Sequence, residues 1–398
     1  MLSRRSFLKA SSLISLSPFV PSMLATAARA ASAAPDARTL VVIQLDGGND
    51  GLNTIVPYGD DGYARHRQKL RLDIARLHRL DDHVGFHPSM RAAKALFDEG
   101  QLAIVQGVGY PNPSRSHFRS MRIWQTARFD DDQHDGYGWL GRALDRRSQQ
   151  ADAGAIFVGE QETPVALWSR RSEAMSLSRA ADLELDLNAA AAAPPSSPMV
   201  EKSLDQFVSR QVLSAYAAAS EFADHQAKTK ALRAISYPDT ALASRLRLIS
   251  QLLHSGSQAR VFYTVQSGYD THSNQLLTHN RLLREFADAL KAFLDDLRAS
   301  QLDDRVAVLA FSEFGRRVQE NDSQGTDHGT AGPVFLAGRP IRGGLIGSAP
   351  SLSELEDGDL KAQADFRQVY ATILETWLGV AARDILDSSF ATLPIFDA

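Results

Sequence analysis

Residues 305–338 read RVAVLAFSEFGRRVQENDSQGTDHGTAGPVFLAG, and this stretch decides the fold class. Its opening run, VAVLAF, is apolar throughout, as expected of a strand covered on both faces. The run leads directly to a carboxylate, Glu313. A loop follows, then Gly325-Thr326-Asp327-His328-Gly329, then a second apolar strand, PVFLAG. Two other strands end in the same way. LVVIQLDGGND (40–50) carries Asp46 at its tip, and VFYTVQSGYDTH (261–272) carries Asp270 and His272. Open α/β sheets bind ligands at the carboxyl ends of their strands. Three strand ends, far apart in sequence, that deliver carboxylates and imidazoles therefore point to a hydrolytic or metal site.

Working outward, Thr39–Asp46 reads as a buried strand. Pro88–Glu99 reads as a helix with Met90, Ala93, Leu96 and Phe97 on one face, stopped by Gly100. Leu102–Val108 is a second buried strand. Pro111-Asn112-Pro113 is a turn, and Ser114 is placed to cap a helix running to about Ala127. Ala155–Gly159 and Val165–Trp168 read as short strands, and the Ala/Pro/Ser-rich stretch Asn188–Pro198 as a loop. Val200–Lys230 and Thr240–His254 read as helices, Arg260–Gln266 as a strand. Thr278–Ala299 is a long amphipathic helix with Leu282, Leu283, Phe286, Leu290, Phe293 and Leu297 on its stripe. Arg305–Phe311 and Pro333–Ala337 are strands, and Gln368–Leu378 is the last helix. This alternation predicts an α/β fold with a mainly parallel central sheet and helices on both faces.

The chain opens with Ser3-Arg4-Arg5-Ser6-Phe7-Leu8-Lys9, a twin-arginine export signal. A modest apolar stretch and the small-x-small site Ala28-Arg29-Ala30 follow, so residues 1–30 are expected to be cleaved. The expected destination is the periplasm or the exterior, with the twin-arginine machinery as a partner and no stable membrane insertion. Residues 31–398 are read as one α/β domain with a helical insert near 169–232. The signal holds four basic and no acidic residues, which leaves 39 basic against 47 acidic side chains, a net charge of −8. That balance argues against a nucleic acid as the main partner. There is no cysteine, which removes disulfides, thiolate metal ligands and a cysteine nucleophile.

Asp270 and His272 stand two residues apart, so in extended chain both face one way and can serve one ion. Carboxylate oxygen suits hard divalent ions, and zinc also takes imidazole. Asp46 belongs where a first-strand carboxylate would join them. Asp327 and His328 are adjacent and diverge; they serve different ions, or one orients a ligand from behind. Each has a plainer reading: Asp46 and Asp270 as turn formers, Glu313 as the partner of Arg316 or Arg317. PNPSRSHF supplies hydroxyls and a basic residue at a helix start, where free N–H groups favour an anion. Ser116 or Ser114 is a candidate nucleophile, Arg115 or Arg119 a candidate anion clamp, and His117 a candidate ligand or acid.

Taken together, SRRSFLK, LDGGNDGLNTIVPY, PSRSHF, GYDTH, SEFGRR and GTDHGTAGPVFLAG resemble the secreted bacterial family known as domain of unknown function 1501. That family is placed in the alkaline phosphatase-like superfamily, with sulfatases and cofactor-independent phosphoglycerate mutases. The resemblance implies an alkaline phosphatase-like α/β fold with a metal site at the carboxyl edge of the sheet. It implies that Asp46 is the first-strand ligand, that Asp270 and His272 serve one metal position, and that His328 is its late histidine. Glu313 stands where the superfamily has Asp followed by His, but Phe314 follows here. The Asp270–His272 spacing is also shorter than the usual Asp-x-x-x-His. Ser116 is the nearest equivalent of the nucleophile, and no cysteine is present for conversion to formylglycine.

The leading expectation is thus a metal-dependent hydrolase of phosphate or sulfate esters, with one or two divalent ions (Zn, Mn or Ca) and a small anionic ester as substrate. The competing expectation, favoured by Phe314, is a non-catalytic binding protein with a secreted protein partner. A metal-free serine hydrolase lacks its G-x-S-x-G elbow, and a dinucleotide enzyme its G-x-G-x-x-G spacing.

Overall fold

The computed structural model describes residues 38–129, 136–147, 154–171, 174–178 and 235–396. The signal region and the stretches Asn188–Pro198 and Val200–Lys230 lie outside the described residues, as does almost all of the insert expected near 169–232. The chain divides into two compact units. The larger comprises Arg38–Ser176, Ala234–Ser250 and Ala259–Ala398. Of the smaller, which takes in Met1–Ala37, Leu177–Arg233 and Gln251–Gln258, only residues 177–178 and 251–258 are described.

The larger unit is built on a nine-stranded sheet. In chain order its strands are β1 (Thr39–Asp46), β2 (Leu102–Gly109), β3 (Ala155–Val158), β4 (Met175–Leu177), β5 (Val261–Ser267), β6 (Val306–Phe311), β7 (Gly332–Ala337), β8 (Gly344–Ile346) and β9 (Ala364–Asp365). Their order across the sheet is β8-β2-β7-β6-β1-β5-β3-β4, with β9 beside β2. β1 lies at the centre, parallel to β5 and β6. The register sets Asp46 against Ser267 and Gln44 against Phe311. The three strands therefore release their following loops, 47–50, 268–272 and 312–317, at one edge.

β7 runs antiparallel to both of its neighbours, β6 and β2. Antiparallel entry means that the residues before β7 sit at the same edge as those after β6. The connection 312–331 therefore never leaves the carboxyl edge, and an antiparallel bridge between Arg316 and His328 ties its two arms. A register shift between Gly332 and Val334 accommodates Pro333, which cannot donate to the ladder.

Alternation along the strands assigns the two faces. Leu40, Val42, Tyr263, Val265, Leu309, Phe311 and Leu336 join one buried cluster with residues of α2 (His117–Thr126), α3 (Trp139–Arg147) and α6 (Phe366–Thr372). On the other face, Phe335 meets Phe286 of the long helix α5 (Gln275–Ala299), and α5 packs on α1 (Arg91–Asp98). The expected stripe of α5 is buried along its whole length, from Leu282 to Leu297. A helix, α4 (Ala241–His254), precedes β5.

Three local expectations change. Val165–Leu167 is a 3-10 turn, too short and too tightly wound for a strand. The helix expected to start at Ser114 starts at His117, with Ser116 as its N-cap; the Ser114 hydroxyl instead accepts from the Ser116 N–H at 3.2 Å. The helix expected over Gln368–Leu378 begins at Phe366 behind an Asp365/Gln368 capping box and widens into a π-helical stretch over Ile373–Leu378; it is not the last, since a short helix over Arg383–Leu386 follows.

Candidate metal centre

His117 reaches the sheet edge because one face of α2 is pinned. His117, Ser120 and Trp124 follow the i, i+3, i+7 spacing of a single helix face. Trp124 stacks on Phe311, the last residue of β6, with ring centroids 5.0 Å apart. Ser120 donates to the Glu313 carbonyl and shares a 2.8 Å bond with the Tyr110 hydroxyl. One turn further toward the N-terminus, the His117 imidazole meets the Glu313 carboxylate, Nδ1 to Oε1 2.8 Å.

The loop after β1 supports the same point. Gly47 has φ +118°, and a Cβ there would lie 2.4 Å from the Asp270 backbone nitrogen. Only glycine lets the tips of β1 and β5 approach this closely. Its N–H donates to Glu313 Oε1 at 2.9 Å.

Four side chains converge at this edge. The Nε2 of His328 lies 3.0 Å from His117 Nε2, 2.9 Å from His272 Nε2 and 3.2 Å from Asp270 Oδ1. Asp270 Oδ1 is 3.1 Å from His272 Nε2 and 3.5 Å from His117 Nε2. The ligand atoms offered by His117, Asp270 and His328 all fall within 4.8 Å of one another. Each imidazole is held from behind through Nδ1: His117 by Glu313, His272 by Asp327 Oδ1 at 3.1 Å, and His328 by the Arg115 carbonyl at 2.7 Å. A carbonyl only accepts, so His328 carries its proton on Nδ1 and presents a lone pair at Nε2. Carboxylate partners draw the other two rings to the same tautomer. Neutral rings so held turn three nitrogen lone pairs and a carboxylate oxygen toward one place, where they repel unless a cation lies among them. The donor set, imidazole nitrogen plus carboxylate oxygen, fits zinc or a similar divalent ion.

The Glu313 hydrogen bond raises His117 above the ordinary imidazole range. Burial works to raise Asp270, but Arg316, through its hydrogen bond and charge, outweighs it and holds the carboxyl below its usual range. The Asn321 hydrogen bond, helped by His272, lowers Asp327. Burial first, and then the charge of Glu313, raise Asp46.

The residues singled out in the sequence fall into three groups. Asp270, His272 and His328 converge, and His117 joins them. Asp327 and Glu313 stand behind, each spending oxygens on an imidazole; Glu313 pairs with His117 rather than with Arg316 or Arg317. Asp46 lies beside the cluster, its Oδ1 held by Gln44 Nε2 at 3.1 Å. Arg115 is not free to clamp an anion: its guanidinium pairs with the buried Asp359, which also takes Arg317 Nε at 3.2 Å. Ser116 is exposed, and its hydroxyl has no hydrogen-bond partner among the described residues. Phe314 packs on His117 and His328, with centroids 4.9 and 4.8 Å away.

Sequence reasoning missed Arg316 as the partner of Asp270, and it missed the brace under the loop. There Asp50 and Arg67, both fully buried, pair at 2.5 Å, and Gln275 also donates to Asp50. Asp50 lies in a glycine-rich turn and Arg67 in the polar run Arg65–Lys69, so nothing in the sequence marks either as buried or pairs the brace across 17 and 225 positions.

The chain belongs to the family described as protein of unknown function (DUF1501), whose model matches residues 37–387. No curated protein matches it. Among solved structures it is similar to a protein in the alkaline phosphatase superfamily from Vibrio parahaemolyticus, at 12% identity over 89% of this chain and 71% of that one, TM-score 0.43. It is also similar to the C-terminal periplasmic domain of EcEptC from Escherichia coli, at 9% identity over 87% and 82%, TM-score 0.40. A third is the PsFucS1 sulfatase from Pseudoalteromonas sp., at 12% over 89% and 70%, TM-score 0.38.

Proposed function

We propose that the protein is an exported, metal-dependent hydrolase of phosphate or sulfate esters, carried to the periplasm or beyond by its twin-arginine signal. The observation that supports the reading is the convergence of three imidazole Nε2 atoms on Asp270 Oδ1, each ring fixed from behind through Nδ1. His117, His272, His328 and Asp270 hold the ion. A divalent ion bound there would supply Lewis-acid chemistry to an ester oxygen or a water. The protein's own contribution is to fix the donors, to keep the rings in one tautomer and to wall one side with Phe314. Ser116 has no base bonded to its hydroxyl, so the reading assigns attack to water, and Ser116→Ala is expected to keep turnover.

The test is elemental analysis of the purified protein followed by a panel of phosphate and sulfate esters, with and without chelator. Bound zinc, manganese or calcium, and hydrolysis that is lost on chelation and in His328→Ala, support the reading. Ester hydrolysis that survives chelation sinks it. A second reading, a non-catalytic binding protein, is favoured by the Phe314 ring covering two of the imidazoles. A metal-loaded protein that turns over no ester in the panel would favour it.

A further inference from the structure

We infer that this centre is built for a single ion, and that the Arg316 guanidinium takes the place of a second cation inside the protein. The inference rests on the proposed metal centre and goes on to its stoichiometry. Around the cluster stand four carboxylates: Asp46, Asp270, Glu313 and Asp327. A second protein-held ion needs about three donors. Glu313 has none to offer. Its Oε1 accepts from Gly47 N–H and His117 Nδ1, its Oε2 accepts from the Ser312 hydroxyl at 2.9 Å, and it is only 1% exposed. Asp327 Oδ1 is shared between His272 and Asn321 Nδ2, the latter at 3.1 Å. That leaves Asp46, the outer oxygen of Asp270 and Oδ2 of the exposed Asp327, and these three do not converge. Among the described residues the only convergent group of three or more such donors is the one already described.

The positive charge is supplied from below. The Arg316 side chain is fully buried, and it donates to Asp270 Oδ1 at 2.7 Å, to Gly48 O at 2.7 Å, to Thr326 O at 2.8 Å and to Tyr269 O at 3.0 Å, besides Gly47 O. Its acceptors come from the loop after β1, the loop after β5 and the loop before β7. A guanidinium stays charged at every relevant pH. Arg316 thus gathers the carbonyls and the carboxylate that a cation would otherwise gather, and it turns Asp270 Oδ1 toward the imidazoles. It does not reach solvent, so it acts on the ion through Asp270, as a positioning residue.

The experiment uses the intact protein, stripped by chelator, dialysed, and titrated with zinc alone. The wild type is expected to retain one equivalent, with no second saturable uptake. In Arg316→Gln the Asp270 charge loses its permanent partner. The zinc-free variant is expected to melt lower than the zinc-free wild type, and the rise in Tm on adding zinc is expected to exceed the wild-type rise by several degrees. Arg316→Lys should restore part of the difference. If Arg316→Gln folds only in the presence of zinc, the inference stands. Two equivalents in the wild type, or an unchanged zinc-induced rise in the glutamine variant, overturns it while leaving the hydrolase reading intact. No retained zinc overturns the single-ion inference, and it overturns the hydrolase reading as well where manganese and calcium are not retained either. One equivalent without ester turnover removes the hydrolase reading and leaves the single-ion inference standing.

Discussion

Glu313→Gln separates a residue that binds the ion from one that holds a ligand. Glutamine has the shape of glutamate. With its oxygen in the Oε1 place it still accepts from His117 Nδ1 and Gly47 N–H, now 2.8 and 2.9 Å away. Its amide nitrogen then faces the Ser312 hydroxyl, which can turn its hydrogen wholly to the Leu45 carbonyl, 2.6 Å away, and accept instead. The amide brings a second N–H with no acceptor shown and sits 3.3 Å from the Gly47 N–H, so a loss of about 1–3 kcal/mol is expected with the fold kept. What disappears is the charge. A charge-assisted hydrogen bond is about twice as strong as a neutral one, and His117 becomes a weaker donor to the ion. Substitutions behind a ligating histidine cost roughly 10–100-fold in metal affinity, which is about 1.4–2.8 kcal/mol. Zinc affinity measured by competition with a chelating dye checks this, alongside a melting curve to confirm folding. An affinity equal to wild type would refute the role assigned to Glu313. A loss far beyond 100-fold in a folded variant would show that Glu313 is itself a ligand.

Three further expectations follow from the same geometry. Arg67→Met leaves Asp50 charged and unpaired at 0% exposure, and strips the Val318 and Arg317 carbonyls of a donor. Breaking one side of such a pair costs about 3–5 kcal/mol, and a loss under about 1 kcal/mol in urea unfolding would contradict it. Gly47→Ala forces a side chain against the Asp270 backbone at a φ of +118°, so zinc affinity should fall; a variant that binds zinc like wild type argues against the close approach. Burial lowers two imidazoles outside the cluster, His87 to about 3 and His279 to about 4, against an unfolded value near 6.5. Their neutral forms belong to the fold, so this stability is complete above about pH 6.5. It is lost as pH falls, by about 2 kcal/mol for each ring at pH 5. Unfolding free energies measured between pH 7.5 and 5 on the metal-free protein check the slope; a flat profile would mean that these rings take up protons without cost.

The three strand ends were legible because uninterrupted apolar runs followed by carboxylates are a period and composition signal, and β1, β5 and β6 lie where that signal puts them. The direction of Gly332–Ala337 was not legible, since an apolar run reads alike in a parallel and an antiparallel strand. Yet that direction is what keeps His328 at the same edge as Glu313. The partners behind the imidazoles were hidden for a related reason: they come from 196, 55 and 213 positions away, and one is a backbone carbonyl, to which the sequence carries no clue. Arg316 and Arg317 are the sharpest case. They are adjacent and chemically identical, and either was a fair partner for Glu313. The bridge to His328 turns one of them inward to Asp270 and the carbonyls and the other outward to Asp359. A one-residue slip of that bridge would exchange them. It would also move His328 off the cluster, so the same pairing that sets the late imidazole sets which arginine becomes the buried cation. Changing either arginine alone should therefore alter the zinc-induced rise in Tm only at position 316, and a change in Arg317→Gln as large as that in Arg316→Gln would break this link between register and charge.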